Sequence, residues 1–304
     1  MSSANAILAK LNAGRPSVSV EFFPPKTEEG ARAILKTAQG IRDHGVDFVS
    51  ITYGAGGSSR DRTVDYGDLL RKIFGFEVMA HLTCVGHSRD EIASVVSGYE
   101  TAGFNGIMAL RGDPPKGETA FKPHPDGFPH ASDLVAFLRA KFGRQFAIGV
   151  AGYPEKHPEA TDLATDLRHL KHKVDQGADF VTTQLFFDNA HYFRFVGEAR
   201  RAGIAVPVIA GVMPALSLDQ ARKFSAFCGS SIPAALERRL LDAGDDAEAQ
   251  RKVGVDWAVG QIRELVAQGA PGLHLYVLNR SDSAIELLAR LREEKILERV
   301  SVAR

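Results

Sequence analysis

Eight apolar runs of strand length recur along the chain, and most are followed by a stretch whose apolar residues fall three or four apart. The first, Ser17 to Pro25 (S-V-S-V-E-F-F-P-P), sets Val18 and Val20 on a pleated strand. Pro24 and Pro25 end it, because neither can donate to a ladder. Thr27 to His44 repeats Ala31, Ile34, Leu35, Ala38 and Ile41 at helical spacing, and Gly45 closes that helix. Phe48 to Tyr53 predicts a second strand, with a helix through Tyr66 to Phe74. Glu77 to Cys84 predicts the third, with a helix over Arg89 to Ala102, and Gly106 to Gly112 the fourth. A long Pro/Gly-rich connection follows, before a helix that Ser132 is expected to cap; loops of this length are usually functional. Phe146 to Tyr153, Phe180 to Phe187, Val206 to Met213 and Leu273 to Leu278 predict strands five to eight. Pro158 to Gln176 and His191 to Ala202 predict the helices after strands five and six. Leu218 to Phe227, Pro233 to Leu241 and Ala247 to Gln268 predict an insertion of extra helices between strands seven and eight, and Ser281 is expected to cap the last helix.

Strands that alternate with helices over nearly the whole length predict an α/β fold, a single (β/α)8 TIM barrel spanning residues 1–304. No shift in composition suggests an interdomain linker, and no close repeat suggests a solenoid. At 304 residues with 44% hydrophobic and 24% charged residues, the chain can bury a sizeable core. Lys plus Arg balances Asp plus Glu at 37 each, which removes any global field that would recruit nucleic acid or an anionic membrane. Small-molecule partners are the expectation. Two cysteines, Cys84 and Cys228, are too few for a disulfide scaffold and fit a reducing, cytoplasmic setting. The N-terminal segment is short and amphipathic, and no apolar run reaches the length of a membrane span.

Barrel chemistry gathers at the C-terminal ends of the strands. Glu21, Thr52, His81, Arg111 with Asp113, Tyr153, Gln184 and Tyr276 all fall at such ends. Glu21 is the odd member, a carboxylate in a strand that otherwise reads as buried; an ion pair or a side chain turned to solvent would also explain it. Gly54-Ala55-Gly56-Gly57-Ser58-Ser59 approximates a dinucleotide-binding loop but lacks the third glycine and a suitably placed acid, so a Rossmann reading fails. His169 and His172 could suggest a metal pair, yet no carboxylate or cysteine completes the set. Asp166, His169 and Lys173 instead form a polar stripe beside Leu163, Leu167, Leu170 and Val174, open to solvent or to a phosphate. No metal is expected.

The chain resembles the catalytic barrel of the bacterial-type, FAD-dependent methylenetetrahydrofolate reductases over nearly its full length. The resemblance rests on V-E-F-F-P-P (Val20 to Pro25), S-I-T-Y-G-A-G-G (Ser50 to Gly57), H-L-T-C (His81 to Cys84) and L-R-G-D-P-P (Leu110 to Pro115). It continues through A-G-Y-P-E-K-H-P-E-A (Ala151 to Ala160), K-V-D-Q-G-A-D-F-V-T-T-Q-L-F-F-D (Lys173 to Asp188) and L-Y-V-L-N-R (Leu275 to Arg280). It implies an oxidoreductase of one-carbon metabolism and methionine biosynthesis: NADH or NADPH reduces FAD and leaves, then 5,10-methylenetetrahydrofolate receives hydride from flavin N5 and becomes 5-methyltetrahydrofolate. By the same resemblance Glu21 is the general acid toward folate N10, and its burial beside Phe22 and Phe23 would raise its pKa. Asp113 matches a catalytic aspartate near flavin and pterin, while Gln184, Tyr276 and Arg280 match substrate contacts. Thr52, His81, Leu110, Arg111, Gly112, Ala151, Tyr153, His157, Asp166 and Lys173 match FAD-contact positions. His169 and His172 stand where relatives carry Asn and Arg facing the FAD phosphates, and Leu218 where relatives carry a substrate-stacking aromatic. The resemblance further implies homo-oligomers and, with the chain ending at Arg304, no regulatory domain and no feedback by S-adenosylmethionine. Two rival readings are a pterin-dependent methyl- or aldol-type transferase barrel without flavin, and a flavin-binding scaffold without turnover.

Overall fold

Parallel pairing joins the apolar runs edge to edge until the last meets the first. The computed structural model of the chain describes residues 5–53, 60–114, 117–118, 121–279 and 281–298. Its eight strands close in sequence order: β1 Ser17–Phe22, β2 Phe48–Ile51, β3 Glu77–Thr83, β4 Gly106–Leu110, β5 Ala147–Gly152, β6 Phe180–Thr183, β7 Val208–Val212 and β8 Gly272–Tyr276. β1 pairs with β8 from Ser17 opposite Gly272 to Glu21 opposite Tyr276, which seals the barrel. The (β/α)8 expectation is met. Between the strands lie α2 Glu28–Ile41, α3 Arg60–Phe74, α4 Arg89–Thr101, α5 Ala131–Phe142, α6 Leu163–Asp175 and α7 Asn189–Arg201, with α1 Ala6–Leu11 ahead of β1. The insertion before β8 contributes α8 Leu218–Cys228, α9 Ala234–Asp242 and α10 Ala247–Ala267, and α11 Ser281–Glu293 follows β8.

The two-residue alternation of each strand divides the core in two. Val18, Val20 and Phe22 point outward and pack against Ile34, Ala38 and Ile41 of α2, so Ser17, Ser19 and Glu21 point into the barrel. The floor of the interior is apolar, built from Phe48, Met79, Met108, Phe180 and Ile209 with Ile7 and Leu11 of α1 beneath them. Asn5 fixes that plug: its Oδ1 accepts the N–H groups of Ile7 and Leu8, and its Nδ2 donates to the Asn105 and Gln145 carbonyls at 2.7 and 3.0 Å. Higher up, the sector formed by β1, β2, β3 and β8 turns polar, with Ser19, Glu21, Ser50, His81 and His274 all buried.

Several element boundaries differ from the sequence reading. Most strands stop short of their predicted C-terminal ends, so Tyr53, Cys84, Gly112, Tyr153, Gln184 and Met213 lie beyond the ladder, where the chain bends out toward its helix. The fourth helix of the barrel wall begins at Ala131: Ser132 is buried in its first turn, and the Asp133 carboxylate closes the helix end by accepting the His130 N–H at 3.1 Å. α6 starts at Leu163 and not at Pro158, because the Asp162 side chain accepts the Thr165 N–H at 2.7 Å and supplies the cap. α11 begins at Ser281, whose side chain lies outside the described set. No described helix is long and apolar enough to cross a membrane.

Candidate active site

One cavity of about 550 Å³ opens above the polar sector at the C-terminal ends of the strands. Glu21, Thr52, His81, Leu110, Arg111, Gly112, Asp113, Ala151, Tyr153, His157, Lys173, Gln184 and Tyr276 all line it. Residues scattered over most of the sequence therefore converge on a single space, of the size that holds small organic ligands. Arg280 and the loop 54–59 lie outside the described residues.

At the bottom of the cavity Glu21 faces two imidazoles. His81 Nε2 lies 3.3 Å and His274 Nε2 3.5 Å from Glu21 Oε2. His274 is held from behind by Ser19, whose Oγ is 2.8 Å from Nδ1. Ser19 spends its one proton on the Leu273 carbonyl at 3.1 Å, so its oxygen accepts and Nδ1 carries the hydrogen. A neutral His274 then turns the Nε2 lone pair toward Glu21, and a hydrogen bond between them requires one further proton, carried by either partner. Glu21 and His274 thus form a unit that stores a single transferable proton. The sequence reading missed His274 because a histidine inside an apolar run has an ordinary structural explanation.

The pKa of Glu21 runs against the sequence expectation. Burial pushes its carboxyl up, but the hydrogen bond to His274 and the charges of His81 and His274 outweigh burial, and the net shift is downward. Neither phenylalanine shields it: Phe22 points to the opposite face of the strand, and Phe23 is 39% exposed at the cavity rim. The desolvation comes from the barrel interior. His81 is also held below the ordinary imidazole value, chiefly by burial, with Glu21 opposing that shift. Although close to Glu21, His81 Nε2 is not aligned with it and has no hydrogen-bond partner among the described residues.

The upper walls are set by backbone geometry. Gly112 takes φ +89°, and a Cβ there would meet Val85 Cγ1 at 2.9 Å and Thr83 Cβ at 3.0 Å. Only glycine lets the chain turn there and present Arg111 and Asp113. Arg111 forms a two-pronged pair with Glu159 at 2.6 and 2.8 Å and lies over the Phe121 ring, while Asp113 is exposed at the rim. Tyr153 and His157 meet edge to face at 4.6 Å, and burial raises the Tyr153 phenol and lowers the His157 imidazole. Burial likewise brings the Lys173 ammonium down to about 8, against the opposing pull of Asp166. Lys173 donates to the Ala151 carbonyl at 2.6 Å. Gln184 accepts the Leu185 N–H with Oε1 at 2.8 Å, which leaves its amide nitrogen to face the cavity as a donor. Tyr276 donates its hydroxyl to the Thr183 carbonyl at 2.8 Å and offers its ring.

Four predicted positions sit elsewhere. Asp166 stands behind the wall and accepts the His157 N–H at 2.9 Å, so it holds the loop that carries His157. His169 and His172 are exposed on α6 and do not reach the cavity. Leu218 does not stack there either: as the first residue of α8 it turns into a small apolar cluster with Met213, Ala215 and Leu236. The aromatic side chains that α8 brings to the cavity are Phe224 and Phe227. The spacing of an amphipathic helix does not reveal which of its aromatics face a ligand.

The cavity fits a flavin dinucleotide in the chemistry of its groups. His81 Nε2 is a buried polar atom in want of a partner, Gly112 keeps a backbone approach open, and Lys173 supplies a cation, so a flat polar ring with an anionic tail matches. Among the described residues no group of three His, Cys, Asp or Glu side chains could hold a metal ion.

A family model described as Methylenetetrahydrofolate reductase matches residues 6–292. The Escherichia coli 5,10-methylenetetrahydrofolate reductase is 38% identical over 91% of this chain and 91% of its own length. Methylenetetrahydrofolate reductase (NADH) 1 of Zea mays is also 38% identical, over 94% of this chain and 50% of its own; the chain spans about half the length of the plant relatives it matches. Among solved structures, a Clostridium thermocellum protein that binds two copies of 5-methyl-5,6,7,8-tetrahydrofolic acid superposes with a TM-score of 0.66 at 18% identity, covering 95% of this chain and 99% of that one. At that identity the likeness speaks for the fold.

Proposed function

The chain belongs to the methylenetetrahydrofolate reductase family, and from that membership we propose that it reduces 5,10-methylenetetrahydrofolate to 5-methyltetrahydrofolate at the expense of NADH or NADPH, in a two-stage exchange of substrates with FAD as its cofactor. The observation that carries the reading is the buried Glu21–His274–Ser19 chain at the floor of the one cavity where the family's motifs meet. When bound, FAD supplies the hydride relay between nicotinamide and folate. Thr52, His81, Arg111, Gly112, Tyr153 and Lys173 would hold it, with His81 Nε2 offering a hydrogen bond and Lys173 a charge.

Glu21 delivers a proton to N10 of the folate, which opens the five-membered ring and leaves the one-carbon unit on N5 electrophilic. His274 makes this possible for a carboxyl held below its usual range, because the one proton belongs to the pair: with Nδ1–H fixed by Ser19, the hydrogen on Nε2 moves to Glu21, which hands that same proton to N10 and leaves a neutral His274 beside a carboxylate. Asp113 at the rim orients the pterin by accepting its N–H groups. Gln184, with its amide donor free, serves pterin and nicotinamide in turn. Apolar walls at Met213, Phe224 and Leu185 keep water from the reacting carbon.

The visible spectrum of the purified protein tests the cofactor, and a colourless preparation that FAD cannot reconstitute would sink the proposal. Rapid mixing tests the roles. Glu21→Gln is expected to leave flavin reduction by NAD(P)H within about two-fold of wild type and to slow reoxidation by methylenetetrahydrofolate by roughly 10²–10⁴-fold, the usual contribution of a general acid. Equal loss in both half-reactions would contradict the assignment.

A further inference from the structure

The cavity wall formed by α8 is built separately from the main core. Its apolar side packs with Leu185, Phe187, Met213 and Ala215, and with Leu236 and Leu240 of α9, in a cluster distinct from the one under the barrel helices. Its N-terminal end is tied to α10, where the Leu218 N–H donates to Gln250 Oε1 at 2.8 Å. Its C-terminal end runs into the loop between β5 and α6. Gly229 closes the helix at φ +70°, so close to Pro158 that a Cβ would meet Pro158 Cγ at 3.3 Å.

Two residues later the contact becomes polar. Ser231 donates its N–H to both oxygens of Glu155, at 3.0 and 3.1 Å, and its hydroxyl to Oε2 at 2.6 Å. His191 of α7 backs the pair, with Nε2 3.3 Å from the Ser231 hydroxyl oxygen, to which it donates, and 3.3 Å from the same Glu155 oxygen. Arg194, which can only donate, lies 3.1 Å from His191 Nδ1, so Nδ1 accepts and the imidazole proton sits on Nε2, facing Glu155. One carboxylate, mostly buried and outside the cavity, thus gathers the β5–α6 loop, α7 and the turn after α8. The loop that bears it is stiff. Lys156 holds the left-handed φ of +106°, and its ammonium donates to the His157 and Ala160 carbonyls at 3.2 and 2.6 Å.

We propose that Glu155 is a positioning residue: by holding Ser231 it fixes the distance between the Phe224/Phe227 wall and the Tyr153/His157 wall, and so sets how tightly the cavity grips a flat ring between them. That the ring belongs to nicotinamide or pterin rests on the function proposed above; the clamp itself does not.

Amide hydrogen exchange of the intact protein reads the clamp directly. In Glu155→Ala the segment 219–232 is expected to exchange roughly ten-fold faster, while the β1–β4 region is unchanged. In the flavin-reduction half-reaction the NADH concentration for half-maximal rate should rise about five- to twenty-fold with the limiting rate within about two-fold. Glu155→Gln keeps an oxygen for the Ser231 N–H and should fall between wild type and Glu155→Ala in both measurements. Unchanged exchange in Glu155→Ala overturns the clamp. Faster exchange with an unchanged half-saturating concentration overturns the positioning role. If wild type takes up no flavin, the functional reading fails and the exchange result still decides the clamp.

Discussion

His274 Nδ1 lies 2.8 Å from Ser19 Oγ, and the same hydroxyl gives its proton to the Leu273 carbonyl at 3.1 Å, which fixes the hydrogen on Nδ1. Ser19→Ala removes that restraint, and a neutral His274 can then carry its hydrogen on Nε2 with no vacancy to pass a proton through. The expected result is about a ten-fold slower folate half-reaction, the size of effect that loss of an orienting partner has on a histidine, with NAD(P)H-dependent flavin reduction unaffected. Stopped-flow traces of both half-reactions check it. Slowing of both together would mean that Ser19 matters only for packing.

The barrel was legible in the sequence because eight apolar runs separated by amphipathic stretches leave few other topologies. Most of the cavity's lining was legible too, since Glu21, His81, Arg111 and Gln184 sit where strands end, and those ends converge in any such barrel. What escaped was whatever depends on how side chains share protons or space. Glu21 looked like an acid with a raised pKa because Phe22 and Phe23 adjoin it in sequence, whereas adjacent residues on a strand face opposite ways and its true neighbours come from β3 and β8. His274 lay hidden in an apolar run. Leu218 and Phe224 belong to one helix, and only packing distinguishes the face that meets the core from the face that meets the cavity.

In the proposed FAD complex, Lys173 is expected to make cofactor affinity depend on pH. Its ammonium titrates at about 8 because burial disfavours the charge, well below the ordinary lysine value. The diphosphate of FAD, held beside it as proposed, would favour the charged form, so the bound state would have the higher pKa and binding would take up a proton as pH rises past about 8. FAD affinity is therefore expected to be highest below that pH and to weaken above it, by up to ten-fold per unit. Flavin fluorescence quenching titrations between about pH 6.5 and 9.5 would show the slope. Lys173→Met should bind weakly with that slope abolished; a slope that survives would assign it to another group.

Gly112 and Gly86 both take positive φ, at +89° and +71°, but differ in what surrounds them. A Cβ at Gly112 meets Val85 and Thr83 at 2.9–3.0 Å, whereas one at Gly86 meets nothing within 4 Å. Gly86→Ala should cost only backbone strain, about 1 kcal/mol. Gly112→Ala must also displace the segment that presents Arg111 and Asp113, so a loss of roughly 2–4 kcal/mol is expected, together with weaker FAD binding. Thermal unfolding and flavin titration of the two variants separate strain from displacement. Equal effects would remove the steric argument.

Leu218 packs in an apolar cluster while Phe224 of the same helix faces the cavity, and truncating each should show it. Leu218 is 8% exposed and packs among Met213, Ala215 and Leu236. Leu218→Ala therefore leaves a cavity in that cluster and is expected to cost about 2–3 kcal/mol of stability, the lower part of the range for buried leucines because the site lies near a helix end. The affinity of the reduced or oxidised enzyme for its substrates should hold within about two-fold, since no cavity-facing atom is lost. Phe224 lines the cavity and is only partly buried. Phe224→Ala should cost less than about 1.5 kcal/mol in stability but raise the half-saturating NADH concentration roughly ten-fold, because an aromatic face that a flat ring can stack against is gone. Denaturant unfolding paired with stopped-flow reduction measures both quantities on both variants. Should Leu218→Ala lose substrate affinity at unchanged stability, the aromatic wall would have to be reassigned.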